Sequence, residues 1–273
     1  MRCPGQCYHE MSELGGASIL VTGASGGFGK ELARQMLDAG GRLILSDREE
    51  CIPALTTLYG ECPAVTAIVS ADLAHSDGCD GLFEAVQSTG ESPDILINNA
   101  GVAFSGRPDL VPDRRIDHLM QINLVSPMRL CRLFLPRMIE KGGGHIVNIS
   151  SVAGWIGGPG MSAYCASKFG LRGFGEALAA DVEDHGIRLS TVYPWFSRTP
   201  ILDSDQFGPD ERRELPDDIV TDPADVVAEI LQGIRRNKEH IFPDAMARRV
   251  YAVKRFFPWL LPWLRRRLER KVA

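Results

Sequence analysis

Nothing in this chain is long and greasy enough to cross a bilayer. No run of 18 apolar residues occurs. Residues 1–16, MRCPGQCYHEMSELGG, lack the apolar stretch of a secretory leader. The seven cysteines, Cys3, Cys7, Cys51, Cys62, Cys79, Cys131 and Cys165, are odd in number, irregularly spaced and free of any CxxC pair. That pattern argues against a disulfide framework and against a zinc site. It fits reduced thiols in a cytoplasmic protein, and no metal site is expected. Charge is unremarkable in total, 24% of residues with a net of -5, and gives no sign of a nucleic-acid partner. No linker rich in Pro, Gly or Ser and no internal repeat divides the 273 residues, so one domain is the economical expectation.

What is present is a hydrophobic fraction of 44%, enough for a sizeable core and unlike a disordered chain. Residues 1–10 match no structural pattern, Met11 is a candidate start, and the segment 1–16 is expected to be disordered. From residue 17, short apolar runs alternate with amphipathic helical stretches. Strands are expected at 17–22, 42–47, 64–70, 94–98, 145–150, 187–193 and 240–242. Helices are expected at 28–39, 51–59, 77–88, 163–185 and 224–236, with a long one over 112–140 bent near Pro127. Continuous apolar strands separated by helices imply an α/β fold: a doubly wound, mostly parallel sheet with helices on both faces. The domain is expected over residues 17–245. Within it, 195–223 is polar, contains prolines, lacks a strand pattern and reads as a substrate loop.

Thr22-Gly23-Ala24-Ser25-Gly26-Gly27-Phe28-Gly29 follows the first strand and opens the first helix. Glycines there let the backbone turn sharply and approach a pyrophosphate, which meets the free N–H groups of the helix start. A phosphate loop of the GxxxxGK[ST] kind does not fit, because Ala24 stands for its first glycine and Glu31 for its hydroxyl. Asp47 ends the second strand, where a carboxylate can accept both hydroxyls of an adenosine ribose. Its charge opposes a 2′-phosphate and so favours NAD over NADP. Arg48 beside it could instead pair with that phosphate.

Ser151 lies at a strand end, and Tyr164 and Lys168 stand i,i+4 on one face of the next helix. Moving a hydride between an alcohol carbon and a nicotinamide also requires moving the hydroxyl proton. Free tyrosine titrates near 10, and a neighbouring ammonium is expected to lower that value. A serine hydroxyl can hold the substrate oxygen as charge develops.

These ordered motifs resemble the short-chain dehydrogenase/reductase family in its compact single-domain subgroup, over about residues 17–245. The likeness rests on TGASGGFG at Thr22–Gly29, Ala71-Asp72-Leu73, NNAG at Asn98–Gly101, Asn123 in QINL, and Ser151-x12-Tyr164-x3-Lys168. It implies a Rossmann fold, a catalytic set of Asn123, Ser151, Tyr164 and Lys168, and a homodimer or homotetramer. It places the cofactor against Thr22, Gly23, Ser25, Gly27, Phe28, Gly29, Asp47, Arg48, Asp72, Leu73, Asn99, Ala100, Gly101, Tyr164, Lys168, Pro194 and Thr199. It gives Asn123 a water that links the lysine to bulk solvent. Ser151 is preferred to Ser150 because the family's serine precedes its tyrosine by 13. The expected activity is an oxidoreductase acting on an alcohol or carbonyl, the alternative being a non-catalytic NAD(P)-binding regulator on the same fold. One departure stands out: Trp195 occupies the glycine position after Pro194. It either reshapes the pocket or packs under the substrate loop. Together with Trp155, Met161 and Phe196, it suggests an apolar substrate cavity.

The tail, 246–273, is basic and aromatic. From Arg248 onward it holds nine Lys/Arg against Glu269 alone. That is +8, so the rest of a chain of net charge -5 carries -13. Three roles are open for 254–273: docking on an anionic membrane, covering a partner subunit, or lidding the chain's own pocket.

Overall fold

Strands buried along their whole length must sit inside a sheet covered on both faces. In the computed structural model, which describes residues 12–208 and 219–260, β1 (Ser18–Thr22) and β4 (Ile95–Asn98) are buried at every position. They form the centre of a seven-stranded sheet with β2 (Arg42–Asp47), β3 (Val65–Ser70), β6 (Gly144–Ile149), β7 (Ile187–Val192) and β9 (His240–Ile241). The order is β3-β2-β1-β4-β6-β7-β9, and every pairing is parallel. Chain order reverses between β1 and β4, which opens a crevice beyond their carboxyl ends.

Helices cover both faces. On one, α1 (Gly27–Asp38), α2 (Ile52–Tyr59) and α7 (Pro223–Arg235) bury Leu32, Met36, Leu55, Val227 and Ile230 against Ile19, Val21 and Leu43. On the other, α3 (Ser76–Ser88), α5 (Ser126–Lys141) and α6 (Ser162–Val182) bury Leu82, Leu130, Phe134 and Val182 against Leu20, Leu96 and Ile146. The doubly wound α/β sheet expected from the sequence is what forms. Among the described residues no helix is long and apolar enough to cross a membrane.

Several expectations are corrected. The long helix over 112–140 is two helices, α4 (Asp113–Met120) and α5, joined by a wide π-helical turn at Gln121–Val125. The break falls just before Pro127, as the bend was expected to. Residues 12–16, expected to be disordered, are held on the domain. Leu14 is 2% exposed within the core, and Ser12 Oγ lies 2.6 Å from Asn237 Oδ1 and 2.9 Å from His145 Nδ1. The rest of that expectation, residues 1–11, falls outside the described residues. Two short strands were not foreseen: β5 (Phe104–Gly106) and β8 (Asp205–Phe207) pair in parallel above the crevice, so the substrate loop contains a strand. Finally, the domain does not stop at 245. Helix α8 (Ala245–Phe256) is capped by Asp244 and buries Ala247, so the tail's first half belongs to the fold.

Candidate active site

The crevice is a cleft of about 1840 Å³, larger than the ~300–1,000 Å³ that encloses a single small ligand. One end is the glycine loop. Gly23 takes φ +65, and a Cβ there would lie 2.7 Å from the Ala100 Cα. A Cβ on Gly29 would lie 2.1 Å from the Gly23 carbonyl, and one on Gly27 would lie 2.5 Å from Thr199 Cγ2. The loop is thus packed backbone to backbone, with Ser25, Gly27 and Phe28 in the cleft wall. Thr22 and Gly29 do not line the cleft. Thr22 is buried under the loop, where Oγ1 accepts the N–H groups of Asn99 and Ala100, both at 3.1 Å. Asn99 Nδ2 donates in turn to the Thr22 and Gly23 carbonyls at 2.9 and 3.0 Å. These two side chains staple the loop to β4 across the strand reversal.

At the next wall, Asp47 Oδ2 accepts from both the N–H and the hydroxyl of Ser25, at 2.8 and 2.7 Å. Arg48, exposed, pairs with Glu50 at 2.8 Å. Asp72 and Leu73 continue this side of the cleft, as Asn99, Ala100 and Gly101 continue its floor.

The middle of the cleft carries three of the four residues singled out from the sequence, Ser151, Tyr164 and Lys168, with Asn123 buried behind them. Ser151 follows β6 and lines the cleft with Tyr164, its hydroxyl accepting the Ala153 N–H at 3.1 Å. Ser150, 4% exposed, commits its hydroxyl to the Lys168 carbonyl at 3.1 Å, which distinguishes the two serines. Lys168 Nζ donates to the Ile149 carbonyl at 2.9 Å and stands 5.7 Å from the centre of the Tyr164 ring.

Both titrating groups are buried, and burial disfavours each charged form. It pushes the Tyr164 phenol up to about 12, against the Ser151 hydrogen bond that favours the phenolate. It pushes the Lys168 ammonium down to about 8. The lowered tyrosine expected from the sequence is therefore corrected: burial dominates the phenol, and near pH 7 the pair is a neutral phenol beside a mostly charged lysine.

Asn123 sits in the wide turn, fully buried and outside the cleft wall. Its Oδ1 accepts the Val102 N–H at 2.9 Å, and Nδ2 donates to the Val102 carbonyl at 2.8 Å. A Cβ on Gly101 would lie 3.4 Å from Asn123 Oδ1 and 3.6 Å from Lys168 Nζ, so asparagine, glycine and lysine are packed together.

Of the apolar residues expected around a substrate, Met161, Trp195 and Phe196 line the cleft and Trp155 does not. Trp155 is instead the centre of an aromatic cluster behind the wall, with Tyr193, Phe242 and Tyr251 at centroid distances of 5.5, 5.4 and 5.2 Å. The Arg172 guanidinium lies 3.6 Å over its ring. A flat π face flanked by a cation and three rings is better satisfied there than in a cleft. Trp195 fits where a glycine was expected because no left-handed backbone is needed: among the described residues the one non-glycine residue with positive φ is Asn237. Its N–H donates to Asp244 Oδ2 at 2.9 Å, and its ring meets Phe196 edge-on at 5.0 Å.

One wall that sequence reasoning missed comes from α8. Met246, Val250 and Val253 form its inner face and wall the cleft, with Arg249 and Lys254 at the margin. Lys254 Nζ donates to the Trp155 carbonyl. Their signal was legible in principle: an Asp N-cap at 244, then apolar residues at i, i+4 and i+7.

These residues fit a nicotinamide dinucleotide, through a loop with no room for a Cβ at Gly23, Gly27 or Gly29, a carboxylate at the second strand end and room for a second molecule. Comparison with known proteins agrees. The family model for short chain dehydrogenase matches residues 17–207. Nodulation protein G of Rhizobium meliloti (strain 1021) is 37% identical over 193 residues, 71% of this chain and 78% of its own. A short-chain dehydrogenase from Sphingobium yanoikuyae in complex with NADPH is similar at TM-score 0.76 and 29% identity, covering 90% of this chain and 95% of that one. The bulky-bulky ketone specific alcohol dehydrogenase from Comamonas testosteroni gives TM-score 0.73 at 28% identity, covering 90% and 94%. A match across most of the domain, on a chain of this topology, leaves one conclusion: the chain belongs to the short chain dehydrogenase family and is an oxidoreductase that exchanges a hydride between NAD(P) and an alcohol or carbonyl.

Proposed function

We propose that Tyr164 is the proton donor and acceptor of this reaction, on a bulky apolar ketone or secondary alcohol, with NAD(H) preferred to NADP(H). The observation that carries the reading is the meeting of Ser151 and Tyr164 on one cleft wall, with the Lys168 Nζ 5.7 Å from the centre of the Tyr164 ring. A substrate oxygen that enters between the two hydroxyls accepts from both. A nicotinamide held in the cleft would supply the hydride to the carbonyl carbon, or take it from the alcohol carbon. In reduction the Tyr164 proton passes to the substrate oxygen, and the Lys168 ammonium stabilises the phenolate left behind until solvent returns a proton. Oxidation runs the same transfer backwards. Asn123 acts as a positioning residue: its side-chain amide is committed to Val102 and to Ser167 Oγ at 3.3 Å, and it holds the floor beside Lys168.

Two further observations support the finer parts of the reading. Asp47 presents its carboxylate where a 2′-phosphate would bring like charge, and Arg48 is neutralised by Glu50. The substrate end is walled by Phe104, Ile156, Met161, Trp195, Phe196 and Val250, an apolar surface that suits a large hydrocarbon body. The Comamonas testosteroni relative is by its own name specific for bulky-bulky ketones. The reading also includes a homodimer or homotetramer, and peripheral membrane contact through 254–273.

Tyr164→Phe is the direct test. Turnover should fall by about 10²–10⁴, the range for a positioned general acid or base. Thermal stabilisation by NAD should be unchanged. Retained turnover removes Tyr164 from the mechanism.

A further inference from the structure

Helix α8 has two different ends of business. Its inner face walls the substrate end of the cleft with Met246, Val250 and Val253. Its outer end runs straight into a turn of large apolar residues with little cover: Phe256 is 59% exposed, Phe257 49%, Trp259 69% and Leu260 39%. Other exposed large apolar side chains of the described residues stand singly along the chain, at Leu58, Leu110, Met128, Ile139, Phe169 and Ile201. Four within five residues make a patch. Arg249 and Arg255, on the same helix, have no ion pair among the described residues. The charge carried from Arg248 to the chain end is +8 on a protein that is otherwise strongly acidic.

We propose that α8 and the turn after it form a lipid-facing portal: the aromatic turn seats in an anionic bilayer surface, and substrate dissolved in that bilayer reaches the cleft along the inner face of α8. Aromatic and leucine side chains among Lys and Arg are the composition that lies in a headgroup region, with rings at the acyl boundary and cations on lipid phosphates. Lys254 marks the join. Its ammonium lies 5.0 Å from the centre of the Phe169 ring and 6.0 Å from that of Trp155, and is tied to the Trp155 carbonyl, so the end of α8 nearest the lipid is latched to the loop that follows Ser151. A helix of 12 residues is about 18 Å long, so the whole portal is one helix deep. The substrate half of the proposal rests on the apolar-carbonyl reading above; the surface half does not.

The test uses the full chain with vesicles of phosphatidylglycerol and phosphatidylcholine in equal parts, against phosphatidylcholine alone. Co-sedimentation should be at least about tenfold stronger with the anionic vesicles. Raising salt from about 0.1 M to about 1 M, which cuts the screening length from ~10 Å to ~3 Å, should remove that preference. The double variant F257A/W259A changes no residue of the cleft lining. It should lose the sedimentation and the turnover of heptadecanone held in the vesicles, while turnover of cyclohexanone in buffer is unchanged. Absence of sedimentation overturns the proposal, as does a double variant that still sediments. A double variant that loses cyclohexanone turnover shows the turn serving its own pocket, and a Trp259-dependent dimer without vesicle binding shows a second copy on the patch; either overturns it too. Sedimentation that depends on Trp259 with turnover of neither ketone supports the lipid surface and overturns the apolar-carbonyl reading alone.

Discussion

Removing the carboxylate of Asp244 should loosen the wall of the substrate cleft at a definable cost. Asp244 is 7% exposed and uses both oxygens. Oδ1 accepts the Ala247 N–H at 2.7 Å and caps α8; Oδ2 accepts the Trp195 N–H at 2.9 Å. Asp244→Ala removes the cap, worth about 1 kcal/mol, and leaves the Trp195 donor without its acceptor, at about 1–3 kcal/mol. Relief of burying a carboxylate offsets part of this, so a net loss of about 2–3 kcal/mol is expected. For a domain of this size each kcal/mol moves Tm by about 2–4 °C. Thermal denaturation followed by circular dichroism should therefore show a fall of roughly 4–12 °C. Asp244→Asn offers one acceptor oxygen and should recover about half of it. Because α8 walls the cleft, KM for an apolar ketone should rise more than kcat falls, and the midpoint shift produced by NAD should be kept. A Tm for Asp244→Ala within about 1 °C of the parent would falsify the clamp.

Asp47→Ala removes the charge facing a 2′-phosphate, and the ratio of kcat/KM for NAD over NADP should fall by about tenfold or more, an ion-pair-scale effect; an unchanged ratio sinks the role given to Asp47. His145 is buried between Ser12 and Ser190, and burial holds it down to about 4 from 6.5. Between those values the unfolded chain binds the proton and the folded one does not, so stability should fall as pH drops from 6.5 to 4, by about 3 kcal/mol in all. His145→Gln should flatten that part of a urea-unfolding pH series, and an identical slope would count against it. Gly29→Ala places a Cβ on the Gly23 carbonyl; cofactor-dependent stabilisation should disappear in a thermal-shift assay, and a wild-type response would show that the loop has slack.

Much of this was legible in the sequence because the signals were local. Strands such as SILVT and RLILSD carry consecutive apolar residues, Ile19–Val21 and Leu43–Leu45, and a parallel sheet is the arrangement that buries both faces. Ser151, Tyr164 and Lys168 are fixed by one strand end and one helical turn, so their spacing carried their convergence. What stayed hidden depends on distant partners. Trp155 looks like a pocket residue until Arg172 and three rings from elsewhere in the chain surround it. The direction of the Tyr164 shift depends on how deeply the fold buries it, which spacing does not state. The two-stranded β5–β8 ribbon joins segments about a hundred residues apart with three-residue strands, too short to leave a period. Helix α8 was masked by its own composition, since a run of Arg and aromatics reads as a tail before Asp244 is seen to cap it.

The wide turn at Gln121–Val125 has a consequence for what this chain can inherit. It carries one residue more than a regular helix needs, and each residue in a helix turns the face by about 100°. That surplus lets Asn123 face Val102 while Ser126, three positions on, reaches the Leu73 carbonyl at 2.7 Å. Loss of any single residue from the turn would restore an ordinary helix with better hydrogen bonds. It would also rotate one of those side chains off its target, and with it either the floor beside Lys168 or the wall at Leu73. At this point the protein can vary the kind of residue it carries far more freely than the number.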